Sequence, residues 1–171
     1  MIVSELKYNE FADFYSGYIN KASGLDLLTG LKQSGSDTLT FFEAIPQEKQ
    51  EYAYLKGKWT IKELLLHIID AERVFAYRAL RFARQDPTAL PGFEENDYVR
   101  YSNANSLDME ALLESYKLLR ASTVSLFESF TTDMLLQIGK ASGSNMSVRA
   151  IGFVIIGHEK HHIEIVKERY L

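Results

Sequence analysis

The sequence predicts an all-α protein built as a four-helix bundle, on three observations. Four long segments carry apolar residues at three- and four-residue steps. No segment alternates convincingly with the period of two that a strand requires. The 171 residues, 46% of them hydrophobic, can bury one sizeable core but hardly two. One domain over residues 1–171 is therefore expected, without internal repeats or low-complexity runs.

Taken in chain order, the aromatic residues 10–19 are expected to form a short helix. It would lie within an N-terminal segment, residues 1–24, that covers one end of the bundle. The first long helix is placed from Asp26 to Ala44. Leu27, Leu28, Leu31, Leu39 and Phe42 form its broken apolar face, and Pro46 lies just past its end. Ser34-Gly35-Ser36 falls in its middle, where low helix propensity weakens it.

The second helix has the clearest start, because Thr60 can cap it while Glu63, three residues on, reaches back to complete a capping box. Its stripe of Ile61, Leu64, Leu65, Ile68, Ala71, Phe75, Ala79 and Phe82 carries it to about Arg84. A long loop, residues 85–105, separates the second and third helices, with Pro87, Pro91 and Gly92 as breakers. Loops of that length often carry function, and Tyr98 and Tyr101 are its candidates for substrate contact.

The third helix is placed from Leu107 to Phe130 behind Ser106, with Leu112, Leu113, Tyr116, Leu119, Val124 and Phe127 inward. The fourth starts behind Ser147, and Ile151, Ile155, His158, His162 and Ile165 form its seam. Connections of either the up-and-down or the crossover kind satisfy this pattern.

Bulk composition excludes several classes. A net charge of -4 gives no basic face for nucleic acid. No run approaches the roughly 18 apolar residues of a membrane span, and the N-terminus lacks the pattern of a secretion signal, so a cytoplasmic protein is expected. The absence of cysteine removes disulfides, thiolate ligands and a cysteine nucleophile, leaving nitrogen and oxygen to hold any metal.

The four histidines supply the main chemical signal. One is His67, in the second helix, and three lie within residues 158–162 of the fourth. His158 and His162 are one turn apart on one face and can converge on one ion, whereas His161 is turned about 100° away. His67 can supply the third ligand of an open site, and of the ions that nitrogen-rich sites suit, zinc, nickel, copper and iron, zinc or nickel is expected. The rival reading is a set of hydrogen-bonded core histidines, but burying three imidazoles without a shared purpose is costly.

Two other metal patterns fail. His158-Glu159-Lys160-His161-His162 spells the HExxH peptidase signature, but no third histidine follows in the nine residues left. A single Glu-x-x-His, starting at Glu159, is only half of the duplicated di-iron motif. Glu159 is then a solvated or ring-orienting carboxylate, and Asp70, three residues after His67, either orients that ring or sits at the surface.

These residues resemble the DinB/YfiT-like superfamily of metal-dependent enzymes. The likeness is carried by Lys58 to Glu72, with its Trp59-to-His67 spacing, by Pro91 to Tyr98, and by Ser147 to Ala150 leading into Gly157-His158-Glu159-Lys160-His161-His162. The resemblance implies a four-helix bundle with His67, His158 and His162 as metal ligands. It also implies a hydrolase or a thiol S-transferase or isomerase, in which the metal activates water or a low-molecular-weight thiol acting as cosubstrate. Arg149 joins Tyr98 and Tyr101 as a candidate contact for a small-molecule substrate. The competing expectation is a non-catalytic metal-binding or helical interaction module, and a homodimer is compatible with broad apolar helices.

Overall fold

Thr60 and Glu63 do close a capping box. The Thr60 hydroxyl accepts from the Glu63 amide at 3.1 Å, and the Glu63 carboxylate accepts from the Thr60 amide at 2.7 Å. A cap of this kind stabilises a helix start by about 1 kcal/mol, and here it fixes where the second long helix begins. In the computed structural model, which describes all residues 1–171, that helix is α3, Ile61–Ala83. It is preceded by the short α1, Ser16–Lys21, and by α2, Leu27–Glu43, which Asp26 caps. Beyond it lie α4, Glu95–Tyr101, α5, Met109–Glu128, and α6, Thr132–Leu135. A hairpin of β1, Ile138–Ala141, and β2, Ser144–Ser147, then leads into α7, Val148–Arg169.

The four long helices α2, α3, α5 and α7 form a closed ring in which α3 packs on α7, α7 on α2, α2 on α5 and α5 on α3. The consecutive helices α2 and α3 are therefore diagonal rather than adjacent, and so are α5 and α7. Of the two connection schemes left open by the pattern, the crossover kind is the one observed.

Two apolar clusters fill the bundle, one of 21 residues that includes Phe75, Phe82, Phe127 and Phe153, and one of 15 that includes Phe42, Leu65, Leu112 and Tyr116. A buried ion network from all four long helices lies among them. Arg120 of α5 donates to Glu72 of α3 at 2.9 and 2.7 Å, to Glu159 of α7 at 3.1 and 2.6 Å, and to the Leu31 carbonyl of α2 at 3.0 Å. Tyr116 adds a 2.5 Å hydrogen bond to Glu159. Burial works against the Arg120 charge, but the flanking Glu159 and Glu72 carboxylates outweigh it and push the pKa up.

The Ser34-Gly35-Ser36 stretch acquires a purpose here. The helix runs through it unbroken, and a Cβ on Gly35 would stand 2.7 Å from Cγ of Arg120, so the small residues form the groove that admits the arginine.

The remaining differences from the sequence reading are local. The long loop between α3 and α5 contains α4 and a 3-10 turn, Ala104–Ser106. Helix α5 starts after Asp108, so Ser106 is not its cap. The hairpin was not expected. Ser142 and Gly143 occupy its two-residue turn with φ of 51° and 81°, the backbone of a type I′ turn. No helix is long and apolar enough to cross a membrane.

The N-terminal segment lies along α7, with α1 packed on that helix. Its anchor is the buried Glu10, which accepts from Arg149 Nε at 2.8 Å and Nη2 at 2.5 Å and from the Ser147 hydroxyl at 2.7 Å. Burial acts to raise the Glu10 pKa. The hydrogen bonds from Arg149, Ser147 and the Lys7 amide outweigh that effect and leave it lowered.

Candidate metal centre

Helix geometry brings three imidazoles to one point. His158 and His162 project from one face of α7 a single turn apart, and α3, packed against that face, presents His67. His158 Nε2 lies 3.1 Å from His67 Nε2 and 3.1 Å from His162 Nε2. One ligand atom from each of the three residues lies within 4.8 Å of the others, and all three residues are buried.

Burial alone lowers the His67 pKa to about 4. Burial, followed by the neighbouring histidines, pushes His158 and His162 well below the ordinary value. At neutral pH the three rings are therefore neutral and their lone pairs available.

A hydrogen-bonded trio does not explain this arrangement. The edge nitrogen of a neutral imidazole is either one donor or one acceptor, so His158 Nε2 can satisfy one of its two close neighbours and must face the other unfavourably. A shared cation would satisfy all three. Metal–nitrogen bonds of about 2.0–2.1 Å in a tetrahedral set place ligand nitrogens about 3.3 Å apart, close to the 3.1 Å observed. His67, His158 and His162 thus fit a divalent ion, and no further histidine or carboxylate joins the set.

The rings are held by packing rather than by carboxylates. Trp59, directly before the α3 cap, lies 4.8 Å from His67 between ring centroids. Tyr18 and Phe75 meet His158 edge-on at 5.4 and 6.2 Å. Asp70 is turned instead to Arg73 at 2.9 Å, so it does not orient His67. Glu159 is neither solvated nor hydrogen-bonded to a histidine, being committed to Arg120 and Tyr116. Nδ1 of His162 is buried without a partner. His161 offers no nitrogen to the cluster, and its ring packs edge-on against His162 at 5.2 Å and Tyr18 at 5.3 Å.

The histidines line a cavity of about 350 Å³ walled mainly by Tyr15, Tyr18, Trp59, Phe75 and Phe93, with Arg78 and Glu95 as its charged residues. None of the three residues expected to touch a substrate lines it. Tyr98 stacks on Phe93 at 4.9 Å, Tyr101 is exposed, and Arg149 is bound to Glu10. The start of helix α4 explains the exchange, because Glu95 in its first turn and Phe93 just before it lie against the cavity while Tyr98 and Tyr101 remain on the outer surface.

Sequence reasoning missed Arg78, although a signal was present. It follows His67 by eleven residues, about three turns, and so falls on the same face of α3 as His67, Ala71 and Phe75.

Fold and site together define a helical-bundle protein with a buried three-histidine cluster opening on an aromatic cavity. The chain belongs to the DinB superfamily, which it matches over residues 31–166. A Geobacillus thermodenitrificans protein, provisionally named a metal-dependent hydrolase, is 26% identical over 117 residues. That match covers 67% of this chain and 66% of the relative, slightly under two thirds of the relative's own length.

Among solved structures, YfiT from Bacillus subtilis is described as a probable metal-dependent hydrolase with an unusual four-helix bundle topology. It superposes with a TM-score of 0.74 at 13% identity, over 95% of this chain and 90% of YfiT. A mycothiol-dependent maleylpyruvate isomerase superposes with a TM-score of 0.65 at 14% identity, over 85% of this chain and 61% of that one. At these identities the two structures establish the fold.

Proposed function

We propose that this protein is a metal-dependent enzyme acting on a small organic molecule, with His67, His158 and His162 holding one divalent cation. The observation that carries the reading is the pair of 3.1 Å contacts at His158 Nε2, which one imidazole cannot satisfy by hydrogen bonding and a single ion can. Zinc and nickel suit three neutral nitrogens. Bound there, the cation supplies Lewis acidity that makes water or a thiol acidic enough to act as a nucleophile at neutral pH. The names of the Geobacillus and Bacillus relatives agree with this class of chemistry.

The chain's own residues supply the enclosure. Trp59, Phe75 and Tyr18 hold the rings in place and limit water around them, while the cavity admits a molecule of modest size beside them.

Thiol transfer is favoured over plain hydrolysis by one further observation. A second cleft of about 240 Å³ lies on the other side of Trp59, bordered by Lys58, Asn96, Arg169 and Tyr170, and it shares only Trp59 and His162 with the first. Two clefts meeting at Trp59 and His162 accommodate two reactants, such as a low-molecular-weight thiol and its acceptor, whereas water requires no cleft of its own.

The deciding test is metal content by plasma mass spectrometry on untagged protein, with His67→Ala and His158→Ala as folded controls. Near-stoichiometric zinc or nickel, lost in both variants, is expected. A parent that carries none and binds none on titration overturns the reading.

A further inference from the structure

Three arginines of this protein are buried, and they are not alike. Arg120 is paired with Glu72 and Glu159, and Arg149 with Glu10. Arg78, only 2% exposed, has no carboxylate. Its Nη2 donates to the Pro91 carbonyl at 2.9 Å and to the Ser142 hydroxyl at 3.0 Å, both neutral, while Nε and Nη1 have no acceptor in the protein. Taking a guanidinium out of water without an opposite charge costs several kcal/mol.

The Arg78 side chain lines the histidine cavity. Its α-carbon stands about 16 Å along the α3 axis from that of His67, and the side chains of a helix lean back toward its N-terminus, so the free N–H groups face the same space as the imidazoles. Between them the wall is Ala71, which leaves room, and the ring of Phe75.

We infer that Arg78 binds the carboxylate of a small organic acid, whose apolar body lies along Ala71 and Phe75 and whose reacting end reaches the three histidines. The inference rests on the reading of this cavity as the substrate site. At the Arg78 end a monoanion fits better than a phosphate dianion, because Arg78 is the cavity's only cationic side chain and Glu95 already places a negative charge on its wall. Arg78 gains from such a ligand the charge-assisted hydrogen bonds that Arg120 and Arg149 obtain from the protein.

Trp59 is the only tryptophan and borders the cavity, so its fluorescence reports occupancy directly. Phenylacetate, 3-phenylpropanoate and 4-phenylbutanoate would be titrated against the full chain as purified, each beside its uncharged amide. The expected result is that at least one acid binds more tightly than its amide by roughly tenfold to a hundredfold, the strength of hydrogen bonds to a charged group. Arg78→Met should weaken the acid to the level of the amide and leave the amide unchanged.

Since Arg78 also ties Pro91 to the hairpin turn, Arg78→Gln serves as a second variant that keeps an N–H donor, on a shorter side chain, and removes the charge. It should abolish the preference with the circular dichroism spectrum and melting temperature close to the parent's. Equal affinity for acid and amide in the parent, no binding of either, or a preference that survives in both variants overturns the proposal. A surviving preference would place the carboxylate at a histidine-bound cation. Metal content is measured on the same samples, so an absent cation and a failed Arg78 are read separately.

Discussion

The backbone of Tyr18 rests directly on Gly157. A Cβ built on that glycine would stand 1.8 Å from the Tyr18 carbonyl oxygen, and the next residue along α7 is His158, against which the Tyr18 ring packs. The obstructing atoms are backbone and cannot swing aside as a side chain would. Gly157→Ala must therefore push α1 off α7, and its intrinsic gain in helix propensity of about 1 kcal/mol does not offset the overlap. The expected net loss is about 1–3 kcal/mol in urea unfolding, with faster proteolysis of residues 1–24 in the folded protein. Unchanged stability and unchanged cleavage would show that α1 is not seated as described.

The network around Arg120 gives a second prediction. Arg120→Met leaves Glu72 and Glu159 buried near one another without their shared cation, and loss of one member of a buried charge network costs about 3–5 kcal/mol. Adding Glu72→Gln and Glu159→Gln removes the stranded charges and should recover a large part of that loss. Chemical denaturation of the single and triple variants checks this. A single variant no less stable than the parent would mean that the network does not hold the four helices together.

Much of this was legible in the sequence, and the rest was not for identifiable reasons. The Thr60–Glu63 box and the Ser147 cap announced the two helices that carry the histidines, because a cap is a local interaction written in four residues. The spacing of His158 and His162 fixed their shared face for the same reason. Which helices would be diagonal depends on contacts between distant segments, so the pairing of α3 with α7 could be expected from His67 but not the ring as a whole.

The hairpin escaped because strands of four residues are too short to show alternation, leaving Ser142-Gly143 as its one signal. Tyr98 and Tyr101 were singled out for size, but the chain's entry into α4, which leaves Phe93 and Glu95 on the cavity side, is not encoded in size. Gly35 read as a weakness until Arg120, 85 residues away, supplied the reason for it.

The clasp between Glu10 and Arg149 predicts a pH dependence of known sign. The folded-state pKa of Glu10 lies below its ordinary value of 4.5, so the unfolded chain binds the proton more readily. The stability that Glu10 contributes is therefore fully present above about pH 4.5 and is lost as pH falls through the lower folded value. Glu10→Gln should be less stable than the parent at pH 7, and the gap should narrow as the pH drops below 4.5. Urea midpoints of both proteins between pH 3 and pH 7 test it, and a gap constant over that range would remove the carboxylate from the account.

Trp59 gives the last prediction, which concerns how the histidines are oriented. In many metal sites the second ring nitrogen donates to a carboxylate or carbonyl that fixes the imidazole. Here Asp70 and Glu159 are bonded elsewhere, and Trp59 lies on His67 instead. Packing of this kind holds a ring only while the neighbour fills its space, so Trp59→Ala should let His67 rotate and lower metal affinity by roughly tenfold to a hundredfold, the range seen when orienting partners are lost.

The matching stability readout follows from linkage, since an ion that binds only the folded chain raises its stability in proportion to the logarithm of affinity. Added zinc should therefore raise the melting temperature of the parent more than that of Trp59→Ala, and should leave His67→Ala unmoved. Competition with a chromophoric chelator gives the affinities directly. Equal affinity in the parent and Trp59→Ala would mean that α3 and α7 alone position the three rings.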